Sequence, residues 1–264
     1  MFRKSAFTIV ELLVVISIII LLLSIFLPTL TQTRATAEKA ICATHLHQQG
    51  IGLAGYLVRN QTYPGHAARS EQGRIMAVWP TRIRTYAQGH DIFHCPSQPD
   101  GFRWQEITST PGGVYATKND GQWGYNEGER LLVVGGGEGV PFSYGYNDWG
   151  RWDVLHNPQR GLGGDLNFGI LVPHLKKLEV TKPSKMIAIA DNTSDGSWDF
   201  NIDPTNPLEY PGKIHFDGSN VLFCDGHVEW HLQSDLVNVN LSTPAGIEMS
   251  KLWNNHNKET ADQN

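Results

Sequence analysis

From Leu12 to Leu27 the chain reads LLVVISIIILLLSIFL, broken only by Ser17 and Ser24, and the residue just before this run is a glutamate, Glu11. With the apolar residues on either side, the segment from Phe7 to Leu30 has the length of a membrane-spanning helix. A carboxylate placed in hydrocarbon costs about 3 kcal/mol on insertion scales. Glu11 therefore needs a reason to stand where it does. Arg3 and Lys4 lie before the run, and that bias predicts a cytoplasmic N-terminus with an exported C-terminal part.

Beyond residue 30 the chain is polar enough, and at 264 residues long enough, to bury a core of one or two domains. The formal charge of −5 provides no basic footprint and argues against nucleic acid as a partner. Twenty-seven glycines and fourteen prolines imply short strands and many turns. The helical pattern continues past Pro28: Cys42, Leu46, Leu53 and Leu57 fall on one face. Gly50, Gly52 and Gly55 weaken helix propensity, so packing must hold that part, and Asn60 with Tyr63-Pro64 predicts the stop. A helix over 7–60 would be about 80 Å long at about 1.5 Å per residue. The polar end NNHNKETADQN reads as frayed.

Three readings of the N-terminus compete. A secretory signal peptide would be cut at the small residues Ala35 and Ala37, but its apolar core would be unusually long and would carry a glutamate. A plain signal anchor leaves Glu11 unexplained. The third starts from KSAFTIVELL: a basic leader ending in small Ala6, then Phe7, with Glu11 fifth when counted from Phe7. This resembles the class III leader of type IV pilins and type II secretion pseudopilins, although those leaders usually end in Gly. The resemblance implies cleavage between Ala6 and Phe7 by a prepilin peptidase, N-methylation of Phe7, and assembly with other pilin or pseudopilin subunits. It also gives Glu11 a purpose, which is to pair with the buried amine of a neighbouring subunit's Phe7.

A second informative stretch is GKIHFDGSNVLFCDGHVEWHL, residues 212–232. Asp225-Gly226 between alternating runs predicts a two-residue type I′ hairpin. Pairing Cys224 with His227 would set Phe223 against Val228 and Val221 against Trp230, giving one apolar and one mixed face. A further turn at Gly218-Ser219 would extend this to a three-stranded meander. His215, nine residues and then Asp225-Gly226 resembles the H-X9-DG signature of prepilin-type proteins abundant in planctomycetes. CATHLHQQGIGLAGY, FHCPS, SYGYN and PSKMIAIAD agree in order with that family. Three cysteines in an exported domain allow at most one intramolecular disulfide. The positions of Cys42 and Cys95 match the family islands, which favours a Cys42–Cys95 bridge with Cys224 left as a strand residue, while other pairings remain open.

Signs of catalysis are weak: no nucleophile elbow, P-loop or dinucleotide fingerprint is present, and GGGEG at 135–139 reads as a loop. His227 and His231 on one strand face would stand about 13 Å apart, too far to share an ion. His90 and His94 lack a third ligand. Calcium is the better cofactor candidate, through Asp191, Asp195, Asp199 and Asp203 with Gly196 at the turn. Thr193 and Ile202 stand where that loop wants acidic residues, so no resident cofactor is expected. The expectation is a non-enzymatic α+β, pilin-like protein. A leader would occupy 1–6, a long helix 7–60 would span the inner membrane over about 7–30, and a head on an antiparallel sheet would follow over 61–264. The rival is an anchored surface protein whose head binds a ligand such as a polysaccharide, with Trp104, Trp123, Trp149, Trp152 and Trp198 as stacking platforms.

Overall fold

A computed structural model describes residues 8–69, 75–87, 89–99, 124–128, 142–149, 161–164, 173–193 and 200–257. Ala6, Phe7, Asp195, Gly196, Asp199, the GGGEG segment and Trp104, Trp123, Trp152 and Trp198 lie outside them.

One helix, α1, runs from Ile9 to Asn60. Thr8 starts it: its hydroxyl accepts from the Glu11 N–H at 3.2 Å, and Glu11 Oε2 accepts from both the N–H and the hydroxyl of Thr8 at 2.8 Å. This reciprocal capping box satisfies two donors that a helix start otherwise leaves open. Pro28 lies within the helix. The hydroxyls of Thr29, Thr31 and Thr33 turn back onto carbonyls one turn earlier. The helix stops where Gln61 takes φ 59° and its N–H donates to Leu57 O at 3.0 Å.

The two halves of α1 differ completely. From Ile9 to Leu30 every large apolar side chain is exposed, and the segment is long and apolar enough to cross a membrane. From Cys42 onward one stripe is buried: Cys42, Leu46, Gln49, Leu53, Tyr56 and Leu57. Gly50 lies in this stripe because a Cβ there would meet Leu222 Cδ1 at 2.9 Å.

A small antiparallel hairpin pairs β1 (Ala67–Arg69) with β2 (Ile75–Val78), which leads into the short helix α2 (Trp79–Ile83). The main sheet contains β3 (Tyr144–Asn147), β4 (Ile187–Asp191), β5 (Asn201–Ile202), β6 (Gly218–Phe223) and β7 (Val228–Leu232), in the order β5-β3-β4-β6-β7. All neighbours are antiparallel except β3 and β5, so the sheet is mixed rather than the purely antiparallel one expected. The chain then forms α3 (Gln233–Leu236) and α4 (Pro244–Trp253).

The sheet is covered on both faces. Leu222, Ala188 and Tyr146 pack with Leu46, Leu53, Tyr56 and Trp79 on the α1 side. Val221, Phe223, Ile187 and Ala190 pack with Leu236 and Trp253 on the other. The expected division of the 212–232 meander into one apolar and one mixed face is therefore wrong: α1 buries the face of Leu222 and Cys224 that was expected to be mixed, Val228 joins that face, and the C-terminal helices bury the face of Val221 and Phe223. Asn254 and Asn255 are also buried, and Asn255 O accepts from the Thr181 N–H at 2.9 Å, so the chain as far as Asn257 is held rather than frayed.

The hairpin register is off by one from the expectation. Leu222 pairs with Val228, Val221 with Glu229 and Asn220 with Trp230. The Gly226 N–H donates to Phe223 O and the Phe223 N–H to His227 O, both at 2.9 Å, closing a three-residue loop of Cys224, Asp225 and Gly226. In that loop only Gly226 has positive φ, +97°. A turn followed by a left-handed glycine is the bulged hairpin rather than the two-residue one. The pair of positive φ values belongs instead to Phe216 (53°) and Asp217 (59°), in the turn closed by reciprocal bonds between His215 and Gly218. That is the φ pattern of a type I′ turn, two residues earlier than the Gly218-Ser219 turn expected.

Candidate functional site at the helix–sheet junction

The spacing in the His215…Asp225-Gly226 stretch has a structural origin. The nine residues between are the two turn residues Phe216 and Asp217, the six of β6, and Cys224. Both ends of the stretch reach α1. At the far end Gly226 O lies 3.2 Å from His47 Nδ1, and the Gly226 Cα is what a Cβ on Gly50 would approach at 3.4 Å. Asp225 shapes this end by accepting from the His227 N–H and lying against His227 Nδ1, the side-chain-to-backbone geometry that favours Asp in turns.

At the near end, His215 is buried against a disulfide between Cys42 of α1 and Cys95, which follows the 3-10 turn Asp91–Phe93. The bridge places the two cysteines as the family resemblance favoured, with Cys224 free. His215 Nε2 is 3.4 Å from Cys95 Sγ and 3.7 Å from Asp191 Oδ2, at the end of β4. The four donor atoms of Cys42, Cys95, Asp191 and His215 all lie within 4.8 Å of one another, and all four residues are buried. Asp191 Oδ2 accepts from the Asn220 N–H at 2.6 Å, while Oδ1 has no hydrogen-bond partner among the described residues.

Burial controls the charges here. Burial pushes the Asp191 carboxyl up to about 8, against the opposing pull of the Asn220 hydrogen bonds and the Lys39 charge. Burial pushes the His215 imidazole down to about 4, with Lys39 acting in the same direction. The pair is spaced as an ion pair, but removal from water disfavours the charged form of each. Burial thus favours the neutral form of both groups.

The rim of the cluster binds the helix further. Lys39 Nζ sits 4.2 Å from the Trp230 ring centroid and 5.8 Å from that of Phe216, an arrangement that attracts a cation to the ring faces. Trp230 Nε1 donates to His215 O at 2.8 Å and Asn220 Nδ2 to Lys39 O at 3.3 Å. Glu38 accepts from Arg34 Nε and from the Ser97 hydroxyl, and the Arg34 bond is the main reason its carboxyl is held below the usual range.

The other expected site residues fall as follows. Glu11 lies at the first turn of α1, where its capping role with Thr8 was legible in the T-x-x-E pattern but was missed. Asp191 belongs to the disulfide cluster, while Asp203 groups with Asp148 and Glu209, so the calcium loop's two described ends join different donor sets. His231 on β7 and His227 just before that strand stand on either side of Glu229, and both lie by Phe223. His94 Nε2 is 3.2 Å from Pro99 O. Trp149 is buried in the core beneath α4 and provides no exposed stacking platform. Comparison of the chain with family models, curated proteins and solved structures gives no match.

Proposed function

We propose that the chain is a structural subunit of a type IV pilus or type II secretion pseudopilus-like filament, released from its leader by a prepilin peptidase. The observation that carries this reading is the division of α1: one continuous helix whose first half is bare and apolar and whose second half is stapled to a folded head. Such a helix serves first as an anchor and then as a stacking spine. Before assembly the exposed half lies in the inner membrane, N-terminus inward, and the head lies outside it.

In this reading Glu11 has two successive roles. In the single chain it closes the capping box with Thr8 through Oε2. In the filament the carboxylate pairs with the amine of Phe7 in a neighbouring subunit, offsetting the burial of that charge. The junction around His215 then has a mechanical purpose, to transmit load between spine and head without letting them separate.

Fractionation of the full-length chain in a host with an intact pilus or secretion assembly system tests the proposal. A filament subunit appears in the sheared extracellular fraction as well as in the membrane. A chain confined to the membrane and active as a monomer would favour the anchored binder instead.

A further inference from the structure

The donor set at the junction exceeds what a disulfide needs. A bridge between two segments is complete with its two sulfurs, yet Asp191 and His215 are buried against it and one carboxylate oxygen is left without a hydrogen bond among the described residues. Burying polar groups with incomplete partners is unfavourable. Two sulfurs, an imidazole nitrogen and a carboxylate oxygen are together the donors of a closed tetrahedral zinc site.

We propose that, in the dithiol form of the protein, Cys42, Cys95, Asp191 and His215 bind one Zn2+ in a closed site that replaces the disulfide as the staple between α1 and the sheet. Zinc takes sulfur at about 2.3 Å and nitrogen or oxygen at about 2.0–2.2 Å, so neighbouring donors in a tetrahedral shell stand about 3.3–3.8 Å apart. His215 Nε2 stands 3.4 Å from Cys95 Sγ, near the separation of a sulfur–nitrogen pair in such a shell, and 3.7 Å from Asp191 Oδ2, about 0.3 Å beyond that of a nitrogen–oxygen pair. The two sulfurs must separate to about 3.7 Å once their bond is broken, and the remaining donor separations, all within 4.8 Å, tighten around the ion. The ligands come from four places: mid-α1, the loop after Phe93, the end of β4 and the turn before β6. The Asn220 N–H already orients the carboxylate, as an outer-shell partner does. Two thiolates and a carboxylate leave the zinc site with one negative charge, which the nearby Lys39 ammonium offsets. The thiolate and imidazole donors exclude calcium and magnesium, which take oxygen.

The dithiol form arises before the bridge is made or by reaction with an external dithiol. In that exchange a thiolate of the reductant attacks one bridge sulfur and the other leaves as a thiolate. The reductant's second thiol then displaces the mixed disulfide, so two electrons pass to the cysteine pair and the reductant departs oxidised. The cysteine protons, and the proton that burial keeps on Asp191, go to solvent as the zinc–sulfur and zinc–oxygen bonds form. Both cysteines are fully buried, so exchange requires the head to be open.

The test uses the full-length chain in detergent, unfolded and reduced in denaturant, then refolded anaerobically with Zn2+ or Co2+ alone and desalted. The expected result is one ion per reduced chain and none per oxidised chain. X-ray absorption should show two sulfurs and two nitrogen or oxygen donors, and cobalt should give thiolate charge-transfer absorption. Cys224→Ser should keep the site. His215→Ala should weaken it by more than the about 10–100-fold typical of losing an outer-shell partner. Substoichiometric metal on the reduced chain, a shell with three sulfurs or none, or full affinity in a folded His215→Ala would overturn the proposal. If His215→Ala fails to fold, the wild-type stoichiometry and ligand shell decide alone. The outcome is independent of whether the chain enters a filament.

Discussion

The imidazole Nε2 of His215 stands 3.4 Å from Cys95 Sγ, inside the joint where α1 meets the sheet. One end of the H-X9-DG stretch therefore rests on the disulfide and the other on His47 of the same helix. The stretch is a clamp that holds β6 along α1.

Breaking the bridge should be costly. Cys42 and Cys95 are 53 residues apart, and a closed loop of that size stabilises by about 4 kcal/mol in the chain-entropy model. Reduction or Cys95→Ser without added metal should lower the denaturant midpoint accordingly. Non-reducing peptide mapping should recover the Cys42–Cys95 pair. Burial raises the thiol of the half-buried Cys224 beside Tyr63, so it should alkylate slowly in the folded protein and fully after unfolding. Three free thiols in the folded protein, isolated without reductant, would contradict the clamp.

Stability of the disulfide form should depend on pH through Asp191. Its folded carboxyl titrates near 8 against an ordinary 3.8, so between those values the folded state keeps a proton that the unfolded state has lost. Stability therefore falls as pH rises through that window. His215 acts oppositely: titrating near 4 when folded rather than 6.5, it withdraws stability as pH falls from 6.5 to 4. Lys39 and Glu38 are the other charges acting on the pair. Asp191→Asn keeps an acceptor for the Asn220 N–H and should flatten the loss between pH 5 and 8, measured as denaturant midpoint against pH. An unchanged slope would show that Asp191 is not the titrating group.

Two glycine substitutions separate close approach from backbone strain. Gly50→Ala gains about 1 kcal/mol of helix propensity, but its Cβ meets Leu222 Cδ1 at 2.9 Å and Gly226 Cα at 3.4 Å. Overpacking of that kind costs about 1–3 kcal/mol, so a net loss is expected. Gly226→Ala meets nothing within 4 Å but must hold φ near +97°, at about 1–2 kcal/mol. Thermal or denaturant unfolding of both variants checks the signs.

Much of α1 was legible in the sequence because its evidence is local: an unbroken apolar run, then a four-and-seven-residue stripe, then Asn60. The hairpin was half legible. Asp225-Gly226 marked the turn correctly, but the dipeptide does not distinguish a two-residue loop from a three-residue loop, and one extra residue shifts every pair and face. The turn at Phe216-Asp217 could not be foreseen, since non-glycine residues with positive φ are uncommon. The exposed Phe216 ring lies 5.8 Å from Lys39 Nζ, measured to its centroid. The place of Asp191 was not legible for a different reason, and the calcium loop's Asp195, Gly196 and Asp199 lie outside the described residues. The spacing of Asp191 from Asp195, Asp199 and Asp203 suggested a calcium loop, whereas its real neighbours, His215 and Cys95, come from distant positions in the chain.

Glu11→Leu should separate membrane insertion from assembly. Removing the charge leaves insertion unchanged or improved, and leader cleavage should persist. Loss of half the capping box shortens or frays the first turn slightly. Filament yield should collapse, because an unpaired buried amine costs several kcal/mol. Thr8→Ala breaks the same cap but leaves the carboxylate, and should keep most of the yield. Equal loss in both variants would assign Glu11 to capping alone.

The most direct measurement is the mass of the N-terminal peptide of the protein recovered from sheared filaments. The account predicts a chain that begins at Phe7 and carries one added N-methyl group. A chain beginning at Thr36 or Glu38, or retaining Met1, would contradict it.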